Sequence, residues 1–208
     1  SIIWWILLVS IIGYSCFLLF AFILTHMALS EIVHVIYLGF LSLLRIALVL
    51  LISSCIWVPI GVWIGSRPRL TALIQPVAQF LAAFPINLLF PFAAILILRY
   101  HLNFNIWCAP LMILGTQWYI LFNVISGASA LPKKLCHAVD ILHVKGSLKW
   151  RKFILPGIFP YFITGLITAA GGAWNITIIA EVINFGDRHF SADGIGAYIA
   201  NHSALSDG

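Results

Sequence analysis

The stretch FILPGIFPYFITGLITAAGGAWNITIIA, residues 153–180, contains no charged side chain. It is longer than the roughly 20 residues that a helix needs to cross a hydrocarbon core. The whole chain shares this composition, because 62% of its 208 residues are hydrophobic and 8% are charged, whereas an ordinary soluble domain has about 25% charged residues. The sequence therefore predicts an all-α protein that crosses a membrane several times.

Three more windows, residues 1–30, 70–98 and 100–132, are free of Asp, Glu, Lys and Arg. A further window, residues 32–66, contains Arg45 as its only such residue. An arginine inside a span is costly, so Arg45 is expected to face a carboxylate, backbone carbonyls or water. Together with the first stretch, these windows predict five spans, at about residues 2–25, 35–64, 71–98, 106–127 and 155–182.

The basic residues fix an expected orientation. The connections at 65–70 and 131–152 carry eight of the eleven lysines and arginines, and alternate connections lie on the same side of a membrane. By the positive-inside rule, this side and the N-terminus are cytoplasmic, and the tail 184–208 is on the outer side. The net charge of +5 is then explained by topology and contact with anionic lipid, and it does not indicate a nucleic-acid partner.

Motifs for catalysis or metal binding are missing. The four cysteines have no ligand spacing, the seven histidines form no HExxH pair, and no Gly-x-Ser-x-Gly elbow occurs. Because the chain contains no Gly-Lys dipeptide, it also lacks a P-loop. We expect a protein that is not an enzyme and binds no metal; any ATP that drives it must bind to another chain.

The connection 131–152 predicts a short amphipathic helix of about 13 residues. Pro132 suits the first helical position and Gly146 suits a C-terminal stop. One apolar stripe has the spacing i, i+3, i+4 and i+7 that is typical of a helix face. Its members are Leu135, Ala138, Val139 and Leu142, with Lys133, Lys134, His137 and Asp140 largely off the stripe.

The residues from 138 to 161 follow the order A-x-D-x-L-x(3)-G-x(3)-W-R-x(2)-I-L-P-x-I-F-P-Y. This order resembles the cytoplasmic "EAA" loop of the inner-membrane permeases of ABC importers, and it is most similar to the nitrate, taurine and sulfonate type. Four more segments resemble the duplicated-permease component of ABC-type anion transport systems, and the likeness runs from about residue 31 to the end. These segments are WVPIGVWIGSRPRL (57–70), QPVAQFLAAFPINLLFP (75–91), GTQWYILFNVISGA (115–128) and TGLITAAGGAWNITIIAEV (164–182).

The resemblance implies one partial permease domain, residues 1–208, with the transmembrane fold of a type I ABC importer, of which about five transmembrane helices are present and the final one is missing. It implies a multi-pass protein of the bacterial inner membrane that moves a small anion by alternating access. The implied partners are a cytoplasmic ABC ATPase that binds ATP and Mg²⁺, a second permease half, a periplasmic or surface solute-binding protein, and membrane lipid.

In that family the loop is a coupling helix that docks on the ATPase. The resemblance assigns this role to Leu135, His137, Ala138, Val139, Asp140, Leu142, His143 and Gly146. The family pattern has Glu where this chain has His137 and Gly where it has His143. Two other hypotheses stay open: a secondary transporter or channel, and an inactive permease remnant.

Polar residues inside spans are candidates for a substrate path or for hydrogen bonds between helices. The candidates for the path are Gln117, Asn123, Trp174, Asn175, Thr177 and Glu181, of which Trp174, Thr177 and Glu181 have the spacing of one helix face. Gln75, Gln79 and Asn87 are further polar residues of this kind. Small residues at 61 and 65, and at 165, 169 and 172, predict close helix packing.

Overall fold

The computed structural model describes residues 2–26, 28–185 and 188–206. Its helices are Ile2–His26 (α1), Leu29–Gly65 (α2), Pro68–Ala83 (α3), Phe90–Arg99 (α4), Phe104–Ser129 (α5), Lys133–Ile141 (α6), Gly146–Lys149 (α7), Leu155–Ala180 (α8) and Ile195–Ser206 (α9). A 3₁₀ turn, Ile86–Leu89, precedes α4, and a π-helical turn, Trp150–Ile154, joins α7 to α8. The strands Val182–Phe185 (β1) and Arg188–Ser191 (β2) pair in antiparallel register.

The apolar windows form helices, as predicted. Within the described residues, four helical stretches are long and apolar enough to cross a membrane, at 3–23, 29–65, 104–129 and 146–180. A bent pair, 68–83 with 86–99, makes a fifth if it counts as one span. The all-α polytopic fold is therefore confirmed.

The span predicted at about residues 71–98 forms a bent pair of helices, α3 and the 3₁₀ turn with α4, rather than one continuous helix. The chain turns by 81° between the two helices of this pair. Phe84 has an extended backbone, with φ −70° and ψ 130°, because the ring of Pro85 disfavours the helical region for the residue before it. The last span also begins earlier than predicted, since helical residues run from Gly146 through the π-helical turn into α8.

The centre of the bundle is α5, which packs against α2, α3 and α8. Half of its most apolar window is buried inside the protein, whereas none of the corresponding window of α1 is buried. Met112, Ile120 and Val124 on α5 are fully buried. Helix α5 therefore sets the positions of the other helices.

Close packing at the predicted small residues is confirmed. A Cβ added at Gly65 of α2 would lie 2.6 Å from the carbonyl oxygen of Ile125, and one at Gly165 of α8 would lie 2.9 Å from the carbonyl oxygen of Tyr119. Both distances are shorter than a van der Waals contact, so α2 and α8 approach α5 to backbone distance only because these positions lack a side chain.

The two ends of the bundle differ in structure. The C-termini of α2 and α5 and the N-terminus of α3 meet beside α6, and we call this the loop end. At the opposite, distal end, the β1–β2 hairpin follows α8, and α9 packs on α2 and α8. The two basic connections thus lie together at the loop end, as the alternation of spans requires.

Candidate functional site

The loop end carries α6, the helix that was predicted for coupling. No residue of α6 is buried. Leu135 is 54% exposed and Leu142, which caps the helix, is 73% exposed. Ala138 is also exposed, and Val139 is half-buried. The predicted apolar stripe thus lies largely uncovered by the described part of the chain, and Ile141, at 76% exposure, adds an apolar side chain that the stripe analysis missed.

The helix is shorter than predicted. It has nine residues, and Pro132 lies just before it as the N-cap with an extended backbone rather than at the first helical position. At the other end, the N–H of Val144 donates to the carbonyl of Val139 at 3.1 Å, and the N–H of His143 donates to the carbonyl of Asp140 at 3.1 Å. This pair of bonds is a Schellman motif, whose C′ residue adopts the left-handed conformation.

His143 occupies that C′ position, with φ +50°. A non-glycine residue there costs roughly 1–2 kcal/mol, and the resemblance places Gly at this position. The expectation that Gly146 ends the helix is therefore wrong: the stop lies at His143, and Gly146, with φ +58°, opens α7. The glycine of the family pattern was the signal for this stop.

One ion pair ties α6 to α7. Lys149 Nζ donates to Asp140 Oδ1 at 2.8 Å, and both side chains are solvent-accessible. The hydrogen bond from Lys149, followed by the charge of Lys149, lowers the pKa of Asp140 from its usual value. Asp140 therefore carries its negative charge throughout the physiological pH range. His137 itself is exposed.

A cavity of about 590 Å³ separates α6 from the bundle. Apolar side chains, such as Val62, Leu131 and Phe153, form part of its wall, together with Lys133, His137 and the Asp140–Lys149 pair. Side chains of α6 line this space without filling it, so the helix borders an open cleft rather than a packed surface.

Four of the six predicted path residues make hydrogen bonds within the protein, and those of Glu181 are described below. Gln117 accepts a bond from Trp57 Nε1 at 3.0 Å, Asn123 Nδ2 donates to the carbonyl of Tyr119 at 2.8 Å, and Thr177 Oγ1 donates to the carbonyl of Ala173 at 2.9 Å. Gln75, likewise, donates to Ser126 Oγ at 2.8 Å, whereas Gln79 and Asn87 are exposed.

The path candidates on and at the end of α8 separate into two environments. Trp174 is 47% exposed, whereas Thr177 and Glu181, which share its predicted face, are 2% and 0% exposed. Asn175 points outward instead. It aligns along α8 with Thr164, Thr168 and Gly171, all exposed, at the spacing i, i+4, i+7 and i+11. The sequence analysis missed this polar outward face, although the helical spacing of its members was readable.

Glu181 ends α8 at the distal end and pairs with Arg45 of α2. Its buried carboxylate also accepts hydrogen bonds from Ser42 Oγ at 2.7 Å and from the N–H of Gly196 at 2.8 Å. Arg45 donates from its other terminal nitrogen to the carbonyl of Asp193 at 3.2 Å. The predicted need of Arg45 for a carboxylate and a carbonyl is thus met by residues far away in the sequence.

Across the described residues, no group of three or more His, Cys, Asp or Glu side chains is arranged to hold a metal ion.

Comparison with known proteins matches one family to most of the chain. The family model for the binding-protein-dependent transport system inner membrane component matches residues 57–204. The bicarbonate transport system permease protein CmpB of Synechococcus elongatus is 30% identical over 159 residues, which are 76% of this chain and 54% of that protein. The nitrate import permease protein NrtB of the same organism is 25% identical over 169 residues, 81% of this chain and 57% of that protein.

A second bicarbonate transport system permease protein CmpB, from a Synechocystis species, is 29% identical over 76% of this chain and 53% of its own length. The chain therefore spans about half the length of the curated relatives that it matches.

Proposed function

The chain belongs to the family of binding-protein-dependent transport system inner membrane components, and from this premise we propose that it is a permease subunit of an ATP-driven importer for a small anion. In this proposal, a separate ATPase binds ATP and Mg²⁺ and drives the permease through the loop 131–152. Transport proceeds by alternating access between two permease halves.

The observation that carries the proposal is the uncovered helix α6. A coupling element must be stiff, must present an apolar face to its partner, and must be free to move relative to the bundle. Helix α6 has an exposed apolar face that includes Leu142 and Ile141, and the cavity beneath it leaves room for displacement. A capped helix without buried residues that projects from a membrane bundle is suited to docking into a groove of another protein.

The proposed partners follow from the family and from the charge pattern. They are a cytoplasmic ABC ATPase at the loop end, a second permease half beside this one, and a periplasmic or surface solute-binding protein at the distal end. The basic residues of the loop end support a cytoplasmic position for it and for the N-terminus in the proposed bacterial inner-membrane protein. The same residues favour contact with anionic lipid headgroups.

The proposed substrate is a small monovalent oxyanion. Relatives carry the names of bicarbonate and nitrate permeases, and both of these anions are planar and singly charged. Arg45 is neutralised by Glu181, so it is not available as an anion site. We assign the path to the outward face of α8, where the amide of Asn175 would otherwise meet lipid, an unfavourable environment for a polar group. The hydroxyls of Thr164 and Thr168 on the same face already donate to backbone carbonyls of the helix, so Asn175 carries the assignment.

The path assignment is tested at Asn175. Asn175→Leu is expected to raise the apparent KM for the transported anion severalfold, because it removes a hydrogen-bond donor from the path. Ile167→Leu, a conservative change at an exposed position of the same helix, serves as the control. An unchanged KM in the Asn175 variant would remove this residue from the path.

The coupling assignment is tested by association with the ATPase. In the complete protein, expressed together with its transport-system partners, Leu142→Arg is expected to reduce co-purification of the ATPase at least tenfold. Tyr100→Arg is the matched control, since Tyr100 is 62% exposed in the turn after α4 at the distal end. Undiminished co-purification of the Leu142 variant would contradict the coupling role of α6, and failure of the unaltered protein to bind any ATPase would contradict the importer itself.

A further inference from the structure

The carboxylate of Glu181 joins segments that are far apart in sequence. Its donors come from α2, through Ser42 and Arg45, and from the N-terminal turn of α9, through Gly196. Ser42 Oγ in turn accepts a hydrogen bond from the N–H of Ile195 at 3.0 Å. Because the side chain of Glu181 is fully buried, each of these bonds is protected from competition with water.

The backbone around this carboxylate is shaped to fit it. A Cβ added at Gly194 would lie 2.2 Å from Glu181 Oε2, and one at Gly196 would lie 2.8 Å from the same oxygen. Both positions must therefore lack a side chain for the segment to close over the carboxylate. Steric fit and hydrogen bonding thus select the same arrangement.

Two more contacts extend this network to the neighbouring helices. Asn105, in the first turn of α5, accepts a hydrogen bond from the N–H of Asp193 at 2.7 Å and donates to Asp193 Oδ2 at 3.1 Å. Tyr198 of α9 donates to Glu31 of α2 at 2.8 Å. Segment 192–198 is consequently bonded to α2, α5 and α8 at once, whereas α6 at the loop end is held by few contacts.

We propose that Glu181 is a positioning residue for transport: its carboxylate locks segment 192–198 onto α2 and α8, so that the distal ends of α2, α8 and α9 move as one rigid body. The residue acts through the helices that it joins and touches no substrate. This inference rests on the proposed permease function, because only a transport cycle would move that body.

A cross-link between α2 and α9 tests whether they separate during transport. A Cβ built at Gly39 lies 3.6 Å from Ile195 Cδ1, so the pair Gly39→Cys and Ile195→Cys suits a short bis-methanethiosulfonate cross-linker, whose disulfide bonds to the two cysteines are cleaved by reductant. The four native cysteines are first replaced by serine or alanine in the complete protein, which is then reconstituted with its partners. The cross-linked protein is expected to keep at least half of the transport rate of its reduced form. A tenfold loss of rate that reductant restores would overturn the proposal.

A second arm tests the part of Glu181 itself. In the same background, Glu181→Gln is expected to slow cross-linking at least fivefold and to slow transport at least fivefold at equal protein level, with the apparent KM unchanged within twofold. The cross-link, once formed, is expected to restore most of the lost rate. If Glu181 only stabilised the fold, Glu181→Gln would lower the amount of protein in the membrane, and the cross-link would not restore the transport rate.

The two readouts separate the two possible failures. Cross-linking is measured by mass spectrometry of the linked peptides and requires no transport. Equal cross-linking rates with Glu181 and with Gln at this position would overturn the positioning role, even in a protein that transports normally. Absence of transport in the unaltered protein, with the expected difference in cross-linking, would instead contradict the permease function.

Discussion

Replacement of Arg45 by methionine tests the energetic contribution of the buried ion pair at the distal end. The variant leaves the carboxylate of Glu181, which is 0% exposed, with Ser42 and Gly196 as its remaining donors. Removal of one partner of a buried ion pair costs about 3–5 kcal/mol, because the other charge stays buried without compensation. The side chain of Arg45 is 13% exposed, so the lower end of this range, about 3 kcal/mol, is the expected loss.

The assay is reversible unfolding in mixed micelles, with the free energy of unfolding taken from the denaturant dependence. The double variant Arg45→Met with Glu181→Gln is expected to be about 2 kcal/mol more stable than Arg45→Met alone, since the amide oxygen of glutamine still accepts hydrogen bonds while the unpaired charge is gone. Arg99→Met, at an exposed position in the last turn of α4, is the control and is expected to change stability by less than about 0.5 kcal/mol.

Two outcomes would refute this reasoning. A loss below about 1 kcal/mol for Arg45→Met would mean that the carboxylate is not effectively buried, or that water replaces the arginine. A double variant as unstable as the single one would show that the loss comes from the packing of the arginine stem rather than from the charge.

Two further predictions concern the loop end. His143→Gly is expected to slow hydrogen exchange of the C-terminal amides of α6 about fivefold, because glycine relieves the left-handed strain and stabilises the helix end by about 1 kcal/mol net. The control His137→Gly, inside the helix, should speed exchange of the same amides by a similar factor. An effect of the same sign for both variants would contradict the Schellman assignment. The pKa of Asp140 is lowered chiefly by the hydrogen bond from Lys149. The ion pair should therefore be fully present above the pKa that Asp140 has in the unfolded chain. It should be lost only as pH falls through the lower pKa that Asp140 has in the folded protein. Its carboxyl carbon NMR shift is therefore expected to stay constant from pH 8 to pH 5, and a titration step within that range would contradict the pair.

The sequence sufficed to predict the features that depend on local composition. The apolar windows predict helices because transfer of a charge-free segment into hydrocarbon is favourable whatever its neighbours are. Gly65 and Gly165 were predicted as packing positions because a missing side chain has the same steric meaning on any helix. The stripe of α6 was likewise visible from its spacing, and its exposure agrees with a face that another protein covers.

Contacts between distant segments could not be predicted in this way. Arg45 and Glu181 are 136 residues apart, and periodicity within either helix does not report which residue lies opposite. Thr177 and Glu181 were grouped with Trp174 by spacing, but α9 covers only part of that face, so burial divides the set. The bend at Phe84 had a readable cause in Pro85, but the long apolar window around it outweighed this single residue.

The two ends of the bundle differ in whether their ion pair is buried or solvent-accessible. At the distal end a carboxylate and a guanidinium are buried together, and this arrangement is strong only while its geometry is kept, so it opposes relative motion of α2, α8 and α9. At the loop end the pair Asp140–Lys149 is solvent-accessible and screened, so it contributes little to stability and opposes a displacement of α6 only weakly. A lever transmits displacement only if its far end is attached to a rigid body. In the proposed coupling role of α6, the buried pair would supply that rigidity, and the exposed pair would leave α6 free to move.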